Sequence, residues 1–276
     1  MSRRLALLLS AALLLPAPSL AREQSDAPDA AIIGFSPDGR FFAWEQYGYD
    51  LAGGALSAVV FVVDRQTNGQ AEGFPFGLLP DGNGDGEPDA AGGYESDPDA
   101  LTDDPDIDAL RADVRDKAAG KLAALSIGTP GRRLAGVPLT QRSPLDKKAT
   151  PLVFVLQPTL PSAIPDLQRR FTIEARPSEE PEDCFNIDPP IRGKTIAFDV
   201  IATVTWPDVK DVGRSVTDYR WAMPAGSCAS GLWIADIVAP PGEGDDAVAV
   251  LFMESRWNSA VDEAQWHGLF VRLPAE

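Results

Sequence analysis

The sequence predicts a mainly β protein, with antiparallel sheets in a sandwich or a partial propeller-like meander and one long amphipathic helix near residues 104–126. Three observations predict it. Period-two alternation of apolar and polar residues recurs along the chain, Gly/Pro/Asn/Asp turn clusters separate the alternating runs, and the 25 prolines fall mostly between them. A single segment has three- and four-residue apolar spacing instead.

The elements follow in order. Ala30 to Phe35 reads as a strand, Ser36-Pro37-Asp38-Gly39 as a tight turn and Arg40 to Tyr47 as the returning strand. Pro37 presets φ at the first corner of that turn, and Gly39 accepts the positive φ that follows. Ser57 to Asp64 is a buried strand stopped by Thr67-Asn68-Gly69. In the helix, Pro105 suits the first turn and Asp104, Asp106 and Asp108 suit its positive end. Ile107, Leu110, Val114, Ala118, Leu122 and Leu125 form one stripe that packs on a sheet, and Gly128 and Pro130 stop the helix. Later strands are Leu152 to Gln157, Arg170 to Arg176, Thr195 to Trp206, Val216 to Met223, Leu232 to Val238, Ala247 to Glu254 and His267 to Leu273.

Residues 1–21 read as a signal peptide: Arg3 and Arg4, a Leu/Ala run from Leu5 to Leu15, helix-breaking Pro16 and Pro18, then Ser19-Leu20-Ala21. The run is too short to span a bilayer, which needs roughly 20 apolar residues. The expectation is cleavage after Ala21 and a secreted or periplasmic product with no membrane span, residues 22–276 forming one β-rich domain with an acidic insertion at 81–104.

Composition narrows the function. With 41 acidic against 24 basic residues the formal charge is −17, the wrong sign for nucleic acid. One histidine and two cysteines argue against a His/Cys zinc site, and a Ser-His-Asp engine has only His267 to draw on. In an oxidising compartment Cys184 and Cys228 are expected to form one structural disulfide, worth about 4 kcal/mol in the chain-entropy model.

Asp81 to Asp108 carries eleven acidic residues and no Lys or Arg. Its first part follows the D-x-N-x-D-G pattern of calcium loops. Asp81, Asn83 and Asp85 would supply side-chain oxygens, Glu87 its carbonyl and Asp89 a direct or water-mediated oxygen. Gly92 holds the twelfth position, where a bidentate acid normally closes the shell, so the alternatives are a weak calcium site and a solvated acidic loop.

The stretch Gly34-Phe35-Ser36-Pro37-Asp38-Gly39-Arg40-Phe41-Phe42-Ala43-Trp44-Glu45-Gln46-Tyr47-Gly48 resembles the opening of a family of secreted bacterial proteins, domain of unknown function 2259. Val59 to Asp64, Gly128-Thr129-Pro130-Gly131 and the stretch from Pro224 through Cys228 and Gly231 also fit that family. The resemblance implies export but no activity. The opening motif is also similar to one blade of a TolB-type β-propeller, and no second copy follows.

Glycoside hydrolysis needs two carboxylates at a set separation, and Glu45, Asp50, Asp64, Asp199 and Glu254 sit in or beside strands. Glu45 reads by alternation as an outward-facing strand residue, or as a half-buried acid among aromatics. Among six tryptophans, Trp257 and Trp266 flank a polar loop, Asn258 to Gln265, and are expected to face solvent and a ligand. The reading is an exported, non-enzymatic binding or structural protein with a protein or glycan partner in the cell envelope. The alternatives are a carboxylate-based glycan hydrolase and a weak calcium-binding carbohydrate-binding module.

Overall fold

The computed structural model describes residues 28–49, 56–78, 107–137, 152–156, 169–177, 197–205, 215–222, 229–242, 246–258 and 261–274. Three antiparallel sheets and one helix account for nearly all of them. Sheet A is built from β1 (Asp29–Phe35), β2 (Phe41–Tyr49) and β3 (Leu56–Asp64), with the short β4 (Gly69–Gln70) and β5 (Phe76–Leu78) both pairing with β3. Helix α1 (Ile107–Ala124) follows, then β6 (Arg132–Gly136). Sheet C is a four-strand meander of β7 (Leu152–Leu156), β8 (Arg169–Pro177), β9 (Ala197–Thr205) and β10 (Ser215–Ala222). Sheet B joins β11 (Ala229–Ala239), β12 (Ala247–Asn258) and β13 (Val261–Arg272) to β6, which adds to the edge at β11.

The layers stack in the order α1, A, B, C. On β2 and β3 the side chains alternate between two apolar environments. Phe42, Trp44, Val59, Phe61 and Val63 meet Leu251, Met253, Trp266 and Phe270 of sheet B, whereas Ala43, Val60 and Val62 meet Val114 and Ala118 of α1. All nine residues of β3 are therefore buried. Sheet B is likewise sandwiched, its other face setting Ile237, Val250, Phe252 and Leu269 against Phe171, Ile173, Val200 and Val204 of sheet C. Strand β6 runs beside β7, and β10 beside β13, so sheets B and C meet at both margins.

The opening turn forms as its residues dictate. Gly39 N donates to the Ser36 carbonyl at 2.9 Å, and Gly39 has φ +68°. The Ser36 hydroxyl accepts from Phe41 N at 2.9 Å and donates to Asp38 Oδ1, which also accepts from Arg40 N.

Within the described residues the helix runs to Ala124, and Ser126 rather than Gly128 ends it. Ile127 N donates to the Leu122 carbonyl and Ser126 N to that of Ala123, both at 2.9 Å, with Ser126 at φ +55°. This is a Schellman cap carried by a residue with a Cβ. Replacing the exposed Ser126 by Gly removes that steric cost and is expected to stabilise the fold by about 0.5–1 kcal/mol, read as a higher urea midpoint.

One expectation needs correction, and one strand adds to those expected. The stretch Asn258 to Gln265 is not a polar loop: β13 begins at Val261, which pairs with Asn258 at the end of β12. Strand β6, which lacks alternation, was not foreseen. Gly131 lets it approach the sheets, because a Cβ there would lie 2.3 Å from the Phe35 ring and 2.6 Å from Val238.

Candidate functional site

The fold buries several charged groups, among them Glu45, Asp64, Asp236 and Glu254. Arg40 clamps Asp64, its Nε and Nη2 donating at 3.2 and 2.6 Å, and joins the end of β3 to the opening turn. Asp64 also accepts from Gln66 N. The Arg40 contact above all holds Asp64 below the usual carboxylate range, and the Ser36 hydroxyl does the same for Asp38. A carboxylate with a lowered folded pKa adds stability that is full above its ordinary value near 3.9 and is lost as pH falls through the folded value. Asp64→Asn is therefore expected to lower the urea midpoint at neutral pH and to converge with the parent protein only in acid, as pH falls below the ordinary carboxylate range. Equal differences at both pH values would contradict this origin.

Glu45 lies beneath the helix rather than facing solvent. Its side chain is 3% exposed and accepts from both Arg111, Nε at 3.0 Å, and Arg115, Nε at 2.5 Å. The Arg111 guanidinium also stands 3.6 Å from the Tyr47 ring centroid, and it donates to Asp108 one turn earlier. Position 45 points outward from the A/B core, as alternation requires, but α1 covers that face. The sequence held a signal for this: Arg111 and Arg115 are four apart and flank the apolar stripe, so both reach the face that packs on the sheet.

A second buried acid lies between sheets B and C. Glu254 is fully buried, with His267 Nε2 3.3 Å from its carboxylate and the His267 ring stacked on Phe252. Asp236 is clamped by Arg133, whose Nε donates at 2.6 Å.

The carboxylates proposed for hydrolysis are separated. Glu45 faces α1, Asp64 ends β3 at the opening turn, and Glu254 faces sheet C from sheet B. Asp199 alternates with the buried Phe198 and Val200, which places it on the outer face of sheet C. Asp50 lies outside the described residues.

Trp266 is a correction. It is 2% exposed, donates from Nε1 to the Pro28 carbonyl at 2.7 Å, and packs in the A/B core. Extending β13 back to Val261 turns this tryptophan onto the face covered by sheet A, so it cannot line an external ligand surface. The side chain of Trp257 lies outside the described residues. So do Asp81, Asn83, Asp85, Glu87, Asp89, Cys184, Cys228 and residues 1–21.

The A/B junction holds two polar residues that no sequence motif marks as functional. Gln46 Oε1 accepts from Trp266 N at 2.9 Å. Asn68 makes two bonds with one residue, its Oδ1 accepting from Phe270 N at 2.7 Å and its Nδ2 donating to Phe270 O at 2.8 Å. These amides pair the outer edge of β13 as another strand would, which blunts an edge otherwise open to association.

The outer face of sheet C is different. Val153 and Val155 of β7 are 50% and 41% exposed while Phe154 between them is buried. By register, Val153 continues through Thr172 to Thr203, and Arg176 through Asp199 to Arg220. No family model, curated protein or solved structure matches the chain.

Proposed function

We propose that this is an exported, non-enzymatic protein that binds a protein or glycan partner of the cell envelope through the outer face of sheet C. The observation that carries the reading is the exposure of Val153 and Val155 on a strand whose alternate residue is core. Large apolar side chains at neighbouring exposed positions of a sheet face are a usual mark of an interaction surface. The acids are engaged elsewhere: Glu45, Asp64 and Asp236 each contact an arginine of the same chain, which suits a structural role better than proton transfer. Export rests on the signal-like residues 1–21 and on the resemblance to secreted proteins, and the disulfide between Cys184 and Cys228 is part of the same proposal.

The test compares the parent protein with a Val153→Lys/Val155→Lys double variant in cross-linking within the living envelope. The double variant is expected to fold, judged by circular dichroism, and to lose the cross-linked partner. Lys117→Glu on the far layer is expected to keep it. Retention by the folded double variant would overturn the reading, and so would glycan hydrolysis by the purified protein that Glu254→Gln abolishes. For the acidic loop the proposal is one weakly bound calcium, whose saturable calorimetric heat Asp85→Ala removes and Asp99→Ala leaves intact.

A further inference from the structure

The tie between Asn68 and Phe270 has a chemical consequence. Asn68 is followed by Gly69, and an asparagine before glycine is the sequence most prone to lose its side-chain amide, because glycine leaves the next backbone nitrogen unhindered. We propose that Asn68-Gly69 is a latent deamidation site, held shut by the native A/B junction, and that its conversion irreversibly releases β13 from sheet A.

In the reaction the Gly69 nitrogen gives up its proton and bonds to Asn68 Cγ. The Cγ–Nδ2 bond breaks and ammonia leaves, closing a succinimide. Water then adds to either ring carbonyl and opens the ring to aspartate or isoaspartate. The native structure engages each reacting group. Nδ2, which must depart, donates to Phe270 O at 2.8 Å, and Oδ1 accepts from Phe270 N at 2.7 Å, so Cγ is held against β13. The Gly69 N–H donates to Thr67 Oγ1 at 3.1 Å. Asn68 itself is only half-buried, so water reaches the residue and the hydrogen bonds, rather than exclusion of solvent, supply the protection.

The product cannot rebuild the tie. A carboxylate has no donor for Phe270 O and places a negative charge against that carbonyl. Phe270 is 3% exposed and packs edge-on against Phe35 and Phe42, so loosening this strand opens the aromatic centre of the A/B layer. The left-handed backbone of Asn68, φ +53°, is tolerated by Asn and Asp, so the conversion to aspartate acts through the lost donor and not through the turn.

The test is peptide mapping by mass spectrometry on the full chain, aged in mildly alkaline buffer with and without urea. Asn83-Gly84, the other Asn-Gly pair, calibrates the rate in urea. In urea both sites are expected to convert at similar rates, and in native buffer Asn68 is expected to slow by about tenfold or more. Thr67→Val, which frees the Gly69 N–H, is expected to speed native conversion severalfold and to change nothing in urea. In an Asn83→Gln background the converted fraction, separated by its added charge, is expected to melt below its unconverted parent, as is Asn68→Asp. Equal Asn68 rates in native buffer and urea would overturn the protection, and a converted fraction that melts with the parent would overturn the release of β13.

Discussion

Gly268→Val is expected to destabilise the protein by about 3 kcal/mol and to lower Tm by several degrees or more. Gly268 sits on β13 against the Trp44 indole, and a Cβ there would stand 2.5 Å from Cζ3 and 2.8 Å from Cη2. The indole has no room to retreat. It is stacked on Phe61 with ring centroids 5.2 Å apart and on Phe42 at 5.7 Å, in a layer where Trp44 is fully buried. The clash can be relieved only by separating sheets A and B or by shrinking the ring. Combining Gly268→Ala with Trp44→Leu is therefore expected to cost less than the two single changes added together, a coupling that thermal melts of the four proteins would measure. Strict additivity would place the strain elsewhere.

The second large effect is expected at the clamp beneath the helix. Removing both Arg111 and Arg115 by alanine substitution leaves Glu45 buried without a cation, and the loss is expected to reach about 3 kcal/mol. The two arginines are unequal. Arg111 is 20% exposed and covers Tyr47, whereas Arg115 is 46% exposed, so Arg111→Ala alone is expected to cost more than Arg115→Ala. Adding Glu45→Met to the double variant removes the stranded charge and is expected to recover most of the loss. Urea unfolding of the series checks the order. A triple variant no better than the double would mean that the arginines act through packing alone.

These two sites show how unevenly the molecule is written in its sequence. The turn Ser36–Gly39 was legible because proline, aspartate and glycine each fix a backbone torsion or a local hydrogen bond within a few residues. The face that α1 buries was legible for the same kind of reason: Val114 and Ala118 lie on the stripe that the helical period defines. Glu45 was harder. Alternation correctly turned it away from Phe42 and Trp44, but alternation does not say whether that second face meets water or another layer. Trp266 is buried, against expectation, because the strand begins at Val261 rather than His267 and pairs along β12, while Gln46 accepts from the Trp266 N–H on the other edge.

The sequence by itself determined the antiparallel β character, the position of most described strands, and helix α1 with its buried stripe. All of these follow from side-chain period and turn chemistry that act over a few residues. The tertiary structure alone decided that β3 is covered on both faces, that the unpatterned β6 joins sheet B, that Glu45 meets Arg111 and Arg115, and that Gln46 and Asn68 pair the edge of β13. Those choices join residues far apart in the chain, Asn68 with Phe270 and Glu45 with Arg111. They depend on which layers stack together, and no local period encodes that.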